Sequence, residues 1–232
     1  LKPLFDELNA DPLTALGCGH LQASPRAVPA VYNVPPSTVG SAHTLIGAGE
    51  FASVYRTTHN GGRAAVRLAY NPLRHALRTA GTHAIMAQLG LAPTFYGILV
   101  GPLLDRGLRA NKAIDRQLRA HASWPVLAMV MEEVTAPRNL LHLDTYYRRT
   151  TKEQIGIKVF FERVLETLTV FQITPALDFQ ALYSEDEGRP YLIDFDLYKP
   201  VTVEASTAEP LVYTPRWLNN YISYTEEMFP GL

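Results

Sequence analysis

The dipeptide Asn60-Gly61, set between two extended runs, constrains this chain more than any other feature of it. A two-residue type I′ hairpin turn needs a positive φ at both central residues, and Asn followed by Gly adopts that conformation at the least cost. Phe51, Ser53-Val54-Tyr55 and Thr57 precede the turn, and Ala64-Ala65-Val66-Arg67-Leu68-Ala69-Tyr70 follow it, so the region folds as an antiparallel hairpin. Upstream, Leu45-Ile46 runs into Gly47-Ala48-Gly49 and adds a strand whose glycines lie near its first bend. A helix is expected from about Pro72 to Leu89, stopped by Gly90. Phe95 to Val100 and Val126 to Met131 read as two more buried strands.

Composition narrows the classes. At 232 residues the chain makes one large domain or two small ones, and 47% hydrophobic with 19% charged residues is globular composition. A net charge of −1 gives no global attraction to nucleic acid, and none is expected as a partner. The single Cys18 excludes an internal disulfide framework and favours an intracellular environment; with no basic activator nearby it reads as an incidental thiol. No uncharged apolar window of about 18 residues occurs, so no membrane span is expected. The seven histidines lack metal-ligand spacing, and there is no Gly-x-Ser-x-Gly elbow.

Three regions follow from texture. Residues 1–43 form a proline-rich N-terminal arm. Residues 44–134 hold five strands and one helix, interrupted by a helical insertion at about 102–122. There Arg109, Lys112, Arg116 and Arg119 fall on a stripe at i, i+3, i+7 and i+10, either a docking surface for an acidic protein partner or a solvated basic face. Residues 135–232 read as a reduced, mostly helical lobe. Its clearest helix runs from Lys152 to Phe171, with an apolar stripe of Ile155, Val159, Phe160, Val164, Leu165 and Leu168. A short strand near Ala181 to Tyr183, the turn Glu185 to Gly188 and a strand from Pro190 to Phe195 follow. The fold class is α+β, with two lobes.

The chemistry concentrates at three places. Glycines at 47 and 49, between two strands, let backbone N–H groups approach an anion, although a plain turn would also use them. Arg67 returns beside that loop on its own strand. Ile193-Asp194-Phe195 sets a carboxylate at the end of an apolar strand, where it either meets a magnesium ion held against phosphates or only accepts backbone hydrogen bonds.

These segments resemble the protein-kinase-like fold. Gly47-Ala48-Gly49-Glu50-Phe51-Ala52-Ser53-Val54 is similar to its glycine-rich loop, with Ala52 for the third glycine, and Ala64-Ala65-Val66-Arg67 to the strand that normally ends in the nucleotide-binding lysine. Leu91-Ala92-Pro93-Thr94-Phe95-Tyr96-Gly97 resembles the approach to the fourth strand in the small-molecule kinase branch. Met129-Val130-Met131-Glu132-Glu133-Val134 resembles the fifth strand running into the hinge, with Met131 as gatekeeper. Gly188 to Asp196 is similar to the strand bearing Asp-Phe-Gly, with Asp196 for its glycine. The resemblance covers roughly residues 44–200 and implies a five-stranded antiparallel N-lobe sheet plus one helix, and a short helical C-lobe. ATP and magnesium would then be the cofactors. Gly47, Gly49, Val54, Ala65, Arg67, Met131, Glu132 and Val134 would contact the nucleotide, and Asp194 the metal; packing of core and hinge explains Met131 and Val134 equally well.

The departures decide the expected function. The lysine position holds Arg67, whose planar guanidinium is not a compact ammonium. The glutamate that should pair with it falls on Thr82 or His83, the catalytic-loop triplet on Thr174-Pro175-Ala176, and the second metal ligand on Ala181. A shorter loop would make Asp178 the base and put Tyr183 in the metal-ligand position, with Gln180 nearby; Asp178 otherwise reads as a turn carboxylate. The expectation is a pseudokinase acting by binding a partner protein, with nucleotide binding retained or lost. The alternatives are an active, atypical minimal kinase using Arg67, Asp178 and Asp194, compact as some secreted bacterial effectors are, and nucleotidyl transfer on a rearranged site.

Overall fold

The structure, a computed structural model, describes residues 36–40, 44–49, 51–69, 71, 73–101, 126–171, 173–175, 179–196 and 198–200. Almost all of the proline-rich arm and the whole basic insertion lie outside these residues. The chain divides into two compact units between Glu133 and Val134. It is α+β, with a five-stranded antiparallel sheet and few helices.

In the first unit, β1 (Thr44–Ala48), β2 (Ala52–His59), β3 (Gly62–Ala69), β4 (Phe95–Gly101) and β5 (Val126–Glu132) form one sheet in the order β1-β2-β3-β5-β4, each neighbour antiparallel. The Asn60-Gly61 turn sits where expected, with φ of 49° and 78°, and it registers β2 on β3 from His59↔Gly62 to Ala52↔Ala69. The helix α1 (Leu73–Gln88) links β3 to β4 and packs against β4 and β5. It ends in a Schellman motif: Leu91 N–H donates to the Met86 carbonyl and Gly90 N–H to that of Ala87, each at 2.9 Å, with Gly90 at φ 71°.

Both faces of this sheet are packed. Tyr55, Ala64, Val66, Ala128 and Val130 form a buried cluster on one face, joined by Val39, Leu68 and Leu99. Strand alternation sends Val54, Ala65, Arg67, Met129 and Met131 to the opposite face, the one α1 meets with the ring of His83 against Phe95. A strand buried on both sides loses its polar–apolar alternation, which is why Ala64 to Arg67 are all buried in succession.

In the second unit β6 (Pro137–Asn139), β8 (Gln180–Ser184) and β9 (Arg189–Ile193) make a three-stranded antiparallel sheet, and β7 (Ile173–Pro175) pairs with β10 (Tyr198–Pro200). A one-turn helix α2 (Leu143–Tyr147) precedes the long α3 (Thr151–Phe171). The reading of this region as mostly helical thus gains three strands it did not anticipate. β6, β7 and β10 are three residues each, too short to show a period of two. A capping box opens α3: Thr150 N–H donates to Glu153 Oε2 at 2.8 Å, and Glu153 N–H to Thr150 Oγ1 at 3.4 Å.

The buried side of α3 differs from the expected stripe. Ile157, Phe160, Phe161, Val164 and Leu168 are buried, whereas Ile155, Val159 and Leu165 are exposed. Phe161 meets Phe179 with centroids 6.0 Å apart. Among the described residues no helix is long and apolar enough to cross a membrane.

Candidate functional site

Pairing across the sheet places most of the expected nucleotide residues in two rows on one face. Gly47 pairs with Val54, Val54 with Arg67, and Arg67 with Met129; one step along, Arg56 pairs with Ala65 and Ala65 with Met131. Paired residues of antiparallel strands point the same way, so Val54, Ala65, Arg67 and Met131 project from a single face. On that face Ala65 and Arg67 are buried, and Val54 and Met131 are half-buried.

The loop between β1 and β2 closes with Gly49 N–H donating to the Ala52 carbonyl at 2.9 Å. Neither Gly47 nor Gly49 has a positive φ. Among the described residues, a Cβ built at Gly47 would meet only Val54, at 3.7 Å, and one at Gly49 only the Ala52 carbonyl, at 4.0 Å. Gly40 is the contrast: a Cβ there would lie 2.3 Å from Thr58 Oγ1, so the exposed Thr58 hydroxyl would have to turn aside.

Arg67 is 7% exposed, and its charge is felt at His83 on α1. The imidazole is itself 2% exposed, and its Nε2–H donates to the Pro93 carbonyl at 2.8 Å. Burial, opposed by that hydrogen bond and reinforced by Arg67, brings the His83 pKa down to about 4. At neutral pH the ring is uncharged, so Arg67 has a neutral imidazole near it where the kinase pattern has a carboxylate. Thr82, the other position suggested by spacing, donates its hydroxyl to the Arg78 carbonyl at 3.0 Å within its own helix.

The end of β5 is tied to both sides of the sheet. Glu132 Oε2 accepts from Thr94 N–H and Thr94 Oγ1, each at 2.9 Å, which commits this carboxylate to anchoring β4. Glu133 is 5% exposed, and Oε1 accepts from Arg56 Nε at 2.8 Å, with the second guanidinium nitrogen at 2.6 Å. The sequence gives no local signal for this contact, because the partners are 77 residues apart. Val134 follows at the start of the second unit, half-buried.

In the second unit the chain leaves β9 at Ile193, two residues short of the expected end at Phe195, where Asp194 takes a left-handed φ of 57°. A non-glycine residue held in that region is a small store of strain of the kind concentrated at functional sites. Phe195 is buried edge-on to Tyr198 at 4.9 Å, and Asp196 is 6% exposed. Ala181 is 1% exposed on β8 and offers a methyl where a second metal ligand would stand. Tyr183 is committed elsewhere: its hydroxyl donates to Glu153 at 3.1 Å and Arg149 lies over its ring at 4.2 Å. Burial first, then Glu153, raises its pKa to about 12, so it stays a protonated phenol and not a metal ligand.

Among the described residues no three His, Cys, Asp or Glu side chains gather as a metal site. The donor set at β9 suits magnesium only where bound phosphates supply the remaining oxygens, because Asp194 is its one carboxylate in the expected position. Asp178, Ala176 and the basic stripe Arg109, Lys112, Arg116 and Arg119 lie outside the described residues. No protein-family model matches the chain, and no curated protein matches it.

Proposed function

We propose that this chain is a degenerate, two-lobed kinase-like protein, a pseudokinase that works by binding a partner protein and retains a nucleotide-binding face without effective phosphoryl transfer. The observation that carries the reading is the face of the first unit. It unites Val54, Ala65, Arg67 and Met131 with Gly47 and Gly49 nearby, yet sets a neutral His83 within reach of the charge on Arg67. Five antiparallel strands with one helix between the third and fourth also fit the resemblance.

Phosphoryl transfer depends almost wholly on positioning and electrostatic stabilisation. A neutral His83 in place of the glutamate that the resemblance expects, and a methyl at Ala181, remove two of those contributions. The basic stripe of the insertion is the surface we assign to an acidic partner. A second reading, an atypical minimal kinase using Asp178 and Asp194, draws its support from the strained backbone at Asp194.

Thermal unfolding with ATP or ADP, with and without magnesium, tests the nucleotide face. Saturating nucleotide raises Tm by several degrees, and Gly49→Val removes the rise while leaving the unliganded Tm in place. A Tm indifferent to every nucleotide would strip that face of its assigned role.

A further inference from the structure

A second, separate feature lies wholly within the second unit. Arg138, Asp144, Thr145, Arg148, Arg149 and Glu185 line an open pocket of about 390 Å³. Three guanidinium groups face two carboxylates there, a surplus of positive charge in a chain whose net charge is −1.

The arginines are not equivalent. Arg149 is fully used: Nε donates to the Thr145 carbonyl at 3.0 Å, and its two terminal nitrogens grip both oxygens of Glu185. That fork is the fixed floor of the pocket and neutralises Glu185. Arg138 is 69% exposed and only 3.6 Å from the same carboxylate, a rim contact. Arg148, at the C-cap of α2, is exposed, and among the described residues no acceptor meets its guanidinium. Arg138 and Arg148 thus bring two exposed planar forks to the lining of this pocket, a donor geometry that suits phosphate.

Asp144 refines the ligand. It stands in the first turn of α2 and adds an exposed carboxylate to the same lining. A bare anion is repelled by it, whereas a peptide satisfies it with backbone N–H donors while delivering its anion to Arg138 and Arg148. The volume also exceeds what a lone ion fills. We propose that this pocket binds a phosphorylated serine or threonine side chain of a partner protein, reading the phosphate through Arg138 and Arg148 and the peptide backbone through Asp144.

The test is fluorescence anisotropy on the full chain. The probe is a labelled short peptide library, randomised except for a central phosphoserine, with serine and glutamate libraries as controls. The phosphoserine library binds and the controls do not. Arg148→Ala and Arg138→Ala each weaken binding by about tenfold or more, with Tm unchanged because both side chains are exposed. Arg148→Lys recovers only part of the loss, since it restores charge but not the fork. Equal binding of the serine library, or indifference to both alanine variants, overturns the proposal. Equal binding of the glutamate library replaces it with a site for acidic peptides. Displacement by inorganic phosphate at concentrations matching the phosphopeptide replaces it with a free-phosphate site.

Discussion

The charge of Arg67 on β3 acts on the imidazole of His83 on α1, and that imidazole is buried, uncharged and bonded to the Pro93 carbonyl. On the kinase-like reading the helix would offer this cation a carboxylate, and His83 offers a neutral ring instead. Burial is the largest cause of the lost proton, and the charge of Arg67 adds to it.

This relationship makes stability depend on pH. His83 has a pKa of about 4 when folded against 6.5 for an unperturbed histidine. Between those values the unfolded chain binds the extra proton and the folded chain does not, so stability rises with pH across that window. The contribution is complete above about pH 6.5 and is lost as pH falls toward 4, amounting to about 3 kcal/mol. Urea titrations from pH 4 to 7 check it: His83→Gln, which keeps a donor for Pro93, removes most of the slope.

Restoring a carboxylate is the complementary experiment. His83→Glu places an anion beside Arg67, and a double-mutant cycle with Arg67→Met measures their coupling. The expected result is that His83→Glu is tolerated with Arg67 present and costs on the order of 3–5 kcal/mol more without it, because a lone buried charge is left behind. Equal cost in both backgrounds would mean that the two side chains do not interact.

The glycines separate folding from binding. Gly47→Ala is expected to leave stability unchanged or raise it by about 0.4–1 kcal/mol, since the new methyl meets only ordinary contacts and the unfolded chain loses freedom. The same substitution shrinks the nucleotide-induced rise in Tm. Gly40→Ala does the reverse: it forces the exposed Thr58 hydroxyl out of place and destabilises by about 1 kcal/mol without touching nucleotide affinity. Paired melting curves with and without ATP distinguish the two.

The clamp between α2 and the β8–β9 turn gives a further stability test. Glu185 holds Arg149, whose side chain is 11% exposed, and the guanidinium in turn covers Tyr183. Glu185→Ala strands that cation and is expected to cost about 1–3 kcal/mol. Because the Arg149 guanidinium holds the Glu185 carboxyl below its usual range, this contribution is present above the ordinary carboxylate pKa and is lost as pH falls through the folded one. Denaturation of wild type and Glu185→Ala at pH 7 and pH 3 shows the gap closing.

What the sequence disclosed follows from range. The Asn60-Gly61 turn, the Gly90 stop and the alternation that puts Val54, Ala65 and Arg67 on one face are local, and each is legible from a few neighbouring residues. The exposed side of α3 was not: Ile155 and Val159 are as apolar as Phe160 and Val164, and only the packed partners decide which row is buried. The ties that shape the sites are longer still. Arg56 reaches Glu133 across 77 residues and Arg149 reaches Glu185 across 36, distances over which residue spacing carries no signal. The insertion of β5 between β3 and β4, which sets Met131 beside Ala65, is equally non-local.

The claim that phosphoryl transfer has been lost is tested most directly by incorporation of labelled γ-phosphate from ATP with magnesium, into the chain itself and into generic protein substrates. Wild type is predicted to give background incorporation, indistinguishable from Asp194→Ala and Asp178→Ala. Magnesium-dependent labelling well above background, abolished by either substitution, would contradict the account and establish an active minimal kinase in its place.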